Sequence, residues 1–149
     1  MADKTVKQHL DHLSREMKEI DFVMLNTHTK DGQIGARPMS NNRQVDYDGD
    51  SYYFTWEDCL MVDDIKRDPK VGLSLQGAPQ EGGAPGTFIS VEGKAKIVRD
   101  KAEFEKHWTD GLERWFEDGV DTDGMVMLHV SATRAAYWDG DKEADFDID

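Results

Sequence analysis

A single domain of mainly antiparallel β structure, a six-stranded barrel with flanking helices, is the fold class that the sequence predicts. Short runs rich in β-branched and aromatic residues recur from residue 22 onward, separated by turn signals such as Asp31-Gly32 and Asp48-Gly49. Evenly spaced crossover helices, which a parallel sheet requires, do not separate these strands. The 149 residues are therefore expected to form one domain, 1–149, with its own core.

Residues 1–20 are expected to hold an N-terminal helix. Its apolar residues are spaced by four, three, four and three positions and so share one face: Val6, Leu10, Leu13, Met17 and Ile20. Lys, Glu, Asp and His residues occupy the other sides. This pattern is typical of a helix that packs one face on a core.

The middle of the chain alternates short strands with one helix. Strands are predicted at 22–25, in a run that ends at Ser40, at 52–55 and at 71–75, with the helix near 62–69. Each strand ends at a turn signal or at the helix, which favours hairpins between neighbours in the chain.

The C-terminal half supplies the remaining predicted elements. A flexible Gly- and Pro-rich loop is predicted at 77–86, followed by a strand at 87–98 with a bulge at Gly93. A helix capped by Asp100 then runs through Trp108, and a second helical stretch includes Leu112, Trp115 and Phe116. The closing strands are predicted at 125–130 and 134–138. The acidic segment 140–149 is predicted to be a frayed, solvated tail.

The composition excludes several kinds of partner. The formal net charge is −13, whereas duplex nucleic acid and anionic membrane surfaces require a basic face. No apolar run is long enough to span a bilayer, and the first residues lack the layout of a secretory signal, so a cytoplasmic protein is predicted. The acid excess fits either an ordinary solvated surface or a host with high internal salt, and composition leaves both open.

The histidines and the single cysteine show no pattern typical of a metal site. His9 and His12 lie three apart on the predicted first helix, but no second cluster of ligands in the sequence completes them. No metal is therefore predicted. Cys59 is expected to be structural, because Glu57 and Asp58 beside it oppose a reactive thiolate.

The most informative segment has Ala36-Arg37-Pro38-Met39-Ser40 at its centre. It is followed by Phe54-Thr55 at the end of the next strand, and then by the helix and the strand 71–75. This order resembles the flavin-binding split barrels of the pyridoxamine 5'-phosphate oxidase-like superfamily, most closely the general stress protein 26 branch. The resemblance implies a six-stranded antiparallel split β-barrel.

The C-terminal half resembles the same branch at four places. These are Val91–Ala95, Trp108 together with 115–119, Leu128–Val130 and Ala136–Asp139. None is specific alone, but their order and spacing are. The resemblance therefore covers most of the chain after residue 22.

The resemblance implies a site for flavin mononucleotide (FMN). In the family the Arg-Pro-Met segment lines the flavin, so Pro38, Met39 and Ser40 are expected to face the ring. Arg37 is expected to pair with the phosphate, since a guanidinium can make two parallel hydrogen bonds to a phosphate. Phe54 and Thr55 match the aromatic-then-Thr strand end that also contacts the flavin.

The same alignment contains the main departure from the family; a lesser one is the final strand, where Ala135 precedes Ala136 and the family's Glu is absent. Cys59 falls at a small polar position, and Met61 stands where a phosphate-binding Lys is expected. Loss of that charge-assisted hydrogen bond would cost roughly 1.5–3 kcal/mol, or about ten- to a hundred-fold in affinity. Trp115 either reaches the flavin across a dimer seam or serves as a core or interface aromatic.

The resemblance implies a homodimer with shared flavin sites, since one small barrel cannot enclose a flavin. Three functions stay open: an FMN-dependent oxidoreductase whose chemistry comes from the cofactor, a non-catalytic flavin-binding or sequestering stress protein, and a degenerate barrel that has lost the flavin. Pyridoxamine phosphate oxidase activity is not expected, because the sequence shows no cluster of acids, bases or phosphate ligands for it. The catalytic residues remain unknown.

Overall fold

A computed structural model describes residues 4–41 and 46–148 of the protein. Seven strands and three α-helices follow one another in the order α1 (Val6–Met17), β1 (Phe22–His28), β2 (Ile34–Ser40), β3 (Asp50–Trp56), α2 (Leu60–Arg67), β4 (Lys70–Gln76), β5 (Phe88–Val98), α3 (Lys101–His107), β6 (Met125–Asp139) and β7 (Lys142–Asp147). Two 3-10 turns, Leu112–Arg114 and Gly119–Asp121, lie between α3 and β6. None of the described helices combines the length and apolar character needed to cross a bilayer.

All seven strands belong to one antiparallel sheet. Its order is β2-β1-β4-β5-β6-β3, with β7 paired to the second half of β6. The predicted mainly β, antiparallel fold with flanking helices is confirmed, with one strand more than the six predicted. Strands β2 and β3 are the two ends of the hydrogen-bonded path, and their C-terminal residues line the cavity described below.

Helix α1 begins at a capping box, in which Thr5 and Gln8 satisfy each other's backbone N–H groups. It buries Leu13 and Met17 against the sheet, as its apolar spacing predicts. Residues 1–3 of the predicted helical segment lie outside the described residues.

The two predicted closing strands are one continuous strand, β6, of 15 residues. The sequence suggests a break near residues 131–133, but the irregularity lies in the partner strand, where the register shifts between Glu92 and Gly93. The predicted bulge at Gly93 is therefore confirmed. A Cβ atom at this position would lie 2.5 Å from the Ser131 carbonyl oxygen, so only glycine fits the close approach.

The prediction of a frayed acidic tail is wrong for residues 140–148, because Lys142–Asp147 form β7 and the segment packs on the core. Phe146 and Ile148 are buried, while Asp145 and Asp147 point outward and pair with Arg134. Alternation of apolar and acidic residues is the signature of a half-buried strand, and the acidic content of the segment conceals it. Residue 149 lies outside the described residues.

The buried side chains form two clusters. The larger fills the space between the sheet, α1 and α2. The smaller is aromatic and joins β3 and β6 to α3 and the 3-10 turns; its buried members are Phe54, Phe104, Phe116, Met125 and Met127. The smaller cluster supports the wall of the candidate site.

Candidate functional site

A cavity of about 290 Å³ opens beside the aromatic cluster. Its walls are the start of β1, the end of β2, the second half of β3 and the segment 109–116. The lining residues are Phe22, Pro38, Met39, Ser40, Asn41, Tyr52, Tyr53, Phe54, Thr55, Trp56, Thr109, Leu112, Trp115 and Phe116. Most of these side chains are apolar or aromatic, as in small-molecule sites generally.

Backbone pairing brings the walls together. Phe22 of β1 lies opposite Ser40 of β2, so the start of one strand and the end of the other share an edge of the cavity. Asn41 continues from β2 and donates hydrogen bonds of 2.8 Å to the Met17 and Ile20 carbonyls, which ties this wall to the end of α1.

The segment 109–116 is fixed by Glu113. Its carboxylate accepts hydrogen bonds from the Trp108 indole and the Gly111 N–H, both at 3.1 Å. Bonds from its own backbone N–H and from Trp108 hold the pKa of Glu113 below its usual value. Trp115 follows this turn, with 53% of its surface exposed beside the cavity. The second predicted helical stretch is thus a 3-10 turn.

The aromatic wall is built from edge contacts. The Phe54 ring meets Trp108 edge-on at a centroid distance of 5.1 Å and Phe104 at 5.8 Å. Trp56 packs on Phe116 at 5.0 Å. These contacts hold the β3 side of the cavity in place.

The described lining contains no carboxylate, imidazole, amine, guanidinium or thiol. Its only titratable groups are the phenols of Tyr52 and Tyr53. Burial raises the pKa of Tyr53 to about 12 and also raises that of Tyr52, so both remain protonated at neutral pH. The cavity therefore offers hydroxyl, amide and backbone groups for hydrogen bonds, without an obvious acid or base.

Six of the nine residues expected at a flavin site meet in this cavity. Pro38, Met39, Ser40, Phe54, Thr55 and Trp115 all line it. The other three expected residues, Arg37, Cys59 and Met61, are not among its lining residues. They lie toward α2 and the larger core.

Arg37 turns toward β1 and α2. Its Nη1 donates hydrogen bonds to Thr27 Oγ1 at 2.7 Å and to the Leu25 carbonyl at 3.2 Å. Nη2 lies 3.8 Å from Asp64 Oδ2. A Cβ atom at position 35 would lie 2.9 Å from Nη2, so Gly35 leaves the space that the guanidinium occupies.

Asp64 is the centre of this buried cluster. Its carboxylate accepts a hydrogen bond of 2.9 Å from Thr27 Oγ1 and another of 3.4 Å from Arg67 Nη1. Two guanidinium groups, those of Arg37 and Arg67, therefore face one carboxylate, which leaves the cluster with one net positive charge. This cluster is a local exception in a chain whose net charge is −13.

The two expected residues near the start of α2 have structural positions. Cys59 is the N-cap of α2, and its Sγ lies 3.9 Å from Thr55 Oγ1, just behind the cavity wall. Met61 is 5% exposed and belongs to the larger core cluster. A side chain so placed does not face a ligand in the cavity.

Several lining residues were not predicted as site residues. Asn41, Tyr52, Tyr53 and Trp56 lie within two residues of predicted positions, Leu112 precedes Trp115 by three, and Phe116 follows Trp115. Their proximity in the sequence to predicted residues was the available signal. Phe22 and Thr109 had no such signal: strand pairing opposite Ser40 brings Phe22 to the cavity, and the turn after α3 brings Thr109.

The comparisons with known proteins agree with this architecture. Residues 8–147 match the model of the family described as pyridoxamine 5'-phosphate oxidase like, and the chain belongs to this family. General stress protein 26 of Bacillus subtilis is 32% identical over 108 residues, which are 69% of this chain and 75% of that protein.

Two solved structures share the fold. A Clostridium acetobutylicum protein related to general stress protein 26 superposes with a TM-score of 0.78 at 22% identity, covering 97% of both chains. The general stress FMN/FAD binding protein of Xanthomonas citri gives a TM-score of 0.73 at 22% identity, also over 97% of both chains. These likenesses confirm the predicted fold class, and the match over residues 8–147 confirms the family resemblance.

Proposed function

We propose that this protein binds flavin mononucleotide in the cavity between β2, β3 and the segment 109–116, as a general stress protein of flavoprotein type. The observation that carries the proposal is the convergence of Pro38–Ser40, Phe54-Thr55 and Trp115 on one aromatic cavity, although they lie far apart in the sequence. The general stress FMN/FAD binding protein with the same fold supports the choice of ligand.

The cavity suits a planar, largely apolar ring with polar edges. Pro38 and Met39 offer an apolar strand surface, and Trp115 supplies an exposed indole for stacking. Ser40, Asn41 and Thr55 supply hydrogen-bond donors and acceptors at the rim. When bound, an isoalloxazine ring would supply hydride or electron transfer, and the residues named here would bind and orient it.

Arg37 is the proposed partner of the phosphate. It precedes the lining residue Pro38, and its Nε and Nη2 donate no hydrogen bond to any residue in the described ranges. The net positive charge of the cluster around Asp64 favours an anion there. Because Asp64 also holds the guanidinium, the phosphate pairs with an arginine that already has internal partners.

A second copy of the chain is proposed to complete each site. The cavity volume of about 290 Å³ is just below the roughly 300–1,000 Å³ typical of small-molecule sites. Large apolar side chains at its rim stay exposed in one chain, among them Phe22, Trp56 and Trp115. We expect a dimer that buries well over about 1,200 Å², and a monomer in light scattering at micromolar concentration would contradict the shared site.

The purified protein tests the proposal directly. A yellow protein with a flavin absorbance band, or quenching of FMN fluorescence on titration into the colourless protein, is the expected result. Thr55→Val should weaken FMN binding because it removes the lining hydroxyl with little change in volume, whereas Thr122→Val, outside the cavity, should not. Absence of binding by the folded wild type would favour a degenerate barrel.

Whether the bound flavin would be used in catalysis is a separate question from whether it binds. Because the described lining lacks acid and base side chains other than phenols, a non-catalytic flavin-binding protein is a second candidate function. Turnover with a reduced nicotinamide and an electron acceptor separates the two, since only an oxidoreductase would oxidise the nicotinamide faster than free FMN does.

A further inference from the structure

A second cluster of potential ligands lies where α1 packs on the hairpin of β6 and β7. His12 and Glu16 are four residues apart on α1, so both side chains lie on one face of the helix. Asp139, the last residue of β6, faces them from the sheet. One ligand atom from each of these three residues lies within 4.8 Å of the other two.

The His12 imidazole has an unsatisfied nitrogen at this point. Its Nε2 is fully buried and forms no hydrogen bond with any residue in the described part of the chain. Asp139 Oδ2 lies 3.4 Å from this nitrogen, but the pair does not have the geometry of a hydrogen bond. A buried polar atom without a partner costs free energy, so this arrangement calls for a bound group.

We propose that His12, Glu16 and Asp139 bind a divalent transition-metal ion, with Zn²⁺ as the best-fitting ion. One imidazole and two carboxylates form a nitrogen and oxygen donor set that zinc accepts. Ligands about 2.1 Å from a tetrahedral ion lie about 3.4 Å from each other, and the His12 Nε2 to Asp139 Oδ2 distance is 3.4 Å. Water would occupy the fourth position.

The electrostatics favour a cation at this place. Two carboxylates and a neutral imidazole carry two negative charges, which a divalent ion would neutralise in a chain already at −13. Burial lowers the pKa of His12 despite the opposing effect of Glu16 and Asp139.

The bound ion would link the N-terminal helix to the last hairpin. None of its three ligands lines the flavin cavity, so this site is separate from the proposed flavin site. The sequence predicts no metal because it shows only His9 and His12 close together. Folding brings Asp139 to His12 and leaves His9 to stack on Phe146 instead, at a centroid distance of 4.6 Å.

Zinc uptake by the full-length, untagged protein tests this inference. After treatment with a chelator and dialysis, the protein is titrated with ZnCl₂, and bound metal is measured by elemental analysis after equilibrium dialysis. We expect one Zn²⁺ per chain and an increase in the unfolding temperature with zinc. His12→Gln, Glu16→Gln and Asp139→Asn should each raise the dissociation constant more than about ten-fold, since even loss of an outer partner costs that much.

His9→Gln is the matched control. It removes an imidazole from the same helix and interface without removing a proposed ligand, so its zinc affinity should equal that of the wild type. Circular dichroism identifies any variant that fails to fold, and the remaining variants then carry the test. No zinc uptake by the wild type, or affinity within about three-fold of the wild type in any folded ligand variant, would overturn the three-ligand site.

Discussion

The two halves of the expected flavin site have different positions in the structure. The strand half, Pro38–Ser40 with Phe54-Thr55, lines an open cavity. The half toward α2 consists of residues whose side chains contact other parts of the protein: Arg37 pairs with Asp64, Cys59 is the N-cap of α2, and Met61 lies in the core. The same family pattern therefore gives an accessible surface for a ring and a largely occupied region for a phosphate.

This difference indicates how the protein should bind its ligand. Ring contacts need only the cavity-lining ends of β2 and β3 and Trp115, and no charged group of the described lining competes for these contacts. A phosphate would instead compete with Asp64 for Arg37, and it would gain nothing from Met61. We therefore expect the phosphate to add less to affinity here than it would with a lysine at position 61.

Met61→Lys is the strongest test of the α2 half. Met61 is 5% exposed in the larger core, so a lysine would place an ammonium group there and reduce the free energy of unfolding by about 2–5 kcal/mol. Leu60→Lys, at a neighbouring residue that is 80% exposed, is the matched control and should change it little. Urea unfolding measures both.

The sequence alignment by itself leads to the opposite expectation, a gain of about ten-fold in FMN affinity from the new charge–phosphate contact. FMN titration of the folded variant distinguishes the two. Tighter FMN binding by Met61→Lys without loss of stability would show that position 61 faces the ligand.

Asp64→Ala tests the buried cluster. The substitution leaves the Thr27 hydroxyl and two guanidinium groups without their shared acceptor, but Arg37 and Arg67 are partly exposed and can be hydrated. We expect a loss of about 2–3 kcal/mol in the free energy of unfolding. Asp63→Ala, at an exposed neighbour on the same helix, should lose much less, and equal losses would contradict the central role of Asp64.

Most of the fold follows from local patterns, and the exceptions have physical causes. The burial of Leu13 and Met17 could be predicted because it depends on the spacing within one helix. The bulge at Gly93 could be predicted because it involves only two paired strands. Strand β7 was predicted to be a frayed tail because acidic residues dominate its composition. What holds it in place is the packing of Phe146 on a core formed by strands distant in the sequence.

The site shows the same division. The resemblance identifies which residues belong near β2 and β3, because their order in the chain is diagnostic. It does not reveal that Asp64 holds Arg37 or that Met61 is buried, since both depend on how α2 packs against β1. Side-chain direction at a helix start is a tertiary property.

Arg37→Ala measures the contribution of the phosphate. The affinity for FMN should fall about ten-fold. The affinity for riboflavin, which has no phosphate, should change little. Arg99→Ala is the control, because it removes an exposed guanidinium that pairs with Glu57 and belongs neither to the Asp64 cluster nor to the cavity lining. Equal losses for both ligands in Arg37→Ala, by fluorescence quenching, would show that Arg37 does not bind the phosphate.

Trp115→Ala tests the strand half of the site. Its indole is 53% exposed beside the cavity, so truncation should cost little stability. Loss of a stacking surface should reduce the free energy of flavin binding by about 1–2 kcal/mol, or roughly ten-fold in affinity. The affinities for FMN and for riboflavin should fall by the same factor, because the indole would contact only the ring.

Trp138→Ala is the matched control for this substitution. Trp138 is 45% exposed on β6 and does not line the cavity, so its variant should bind both flavins as the wild type does. Light scattering must first show that both variants keep the molar mass of the wild type, since loss of the proposed dimer would also remove the proposed shared site. If Trp115→Ala at unchanged mass weakens FMN but not riboflavin, the indole acts on the phosphate end, and the assignment of the ring to this wall is wrong.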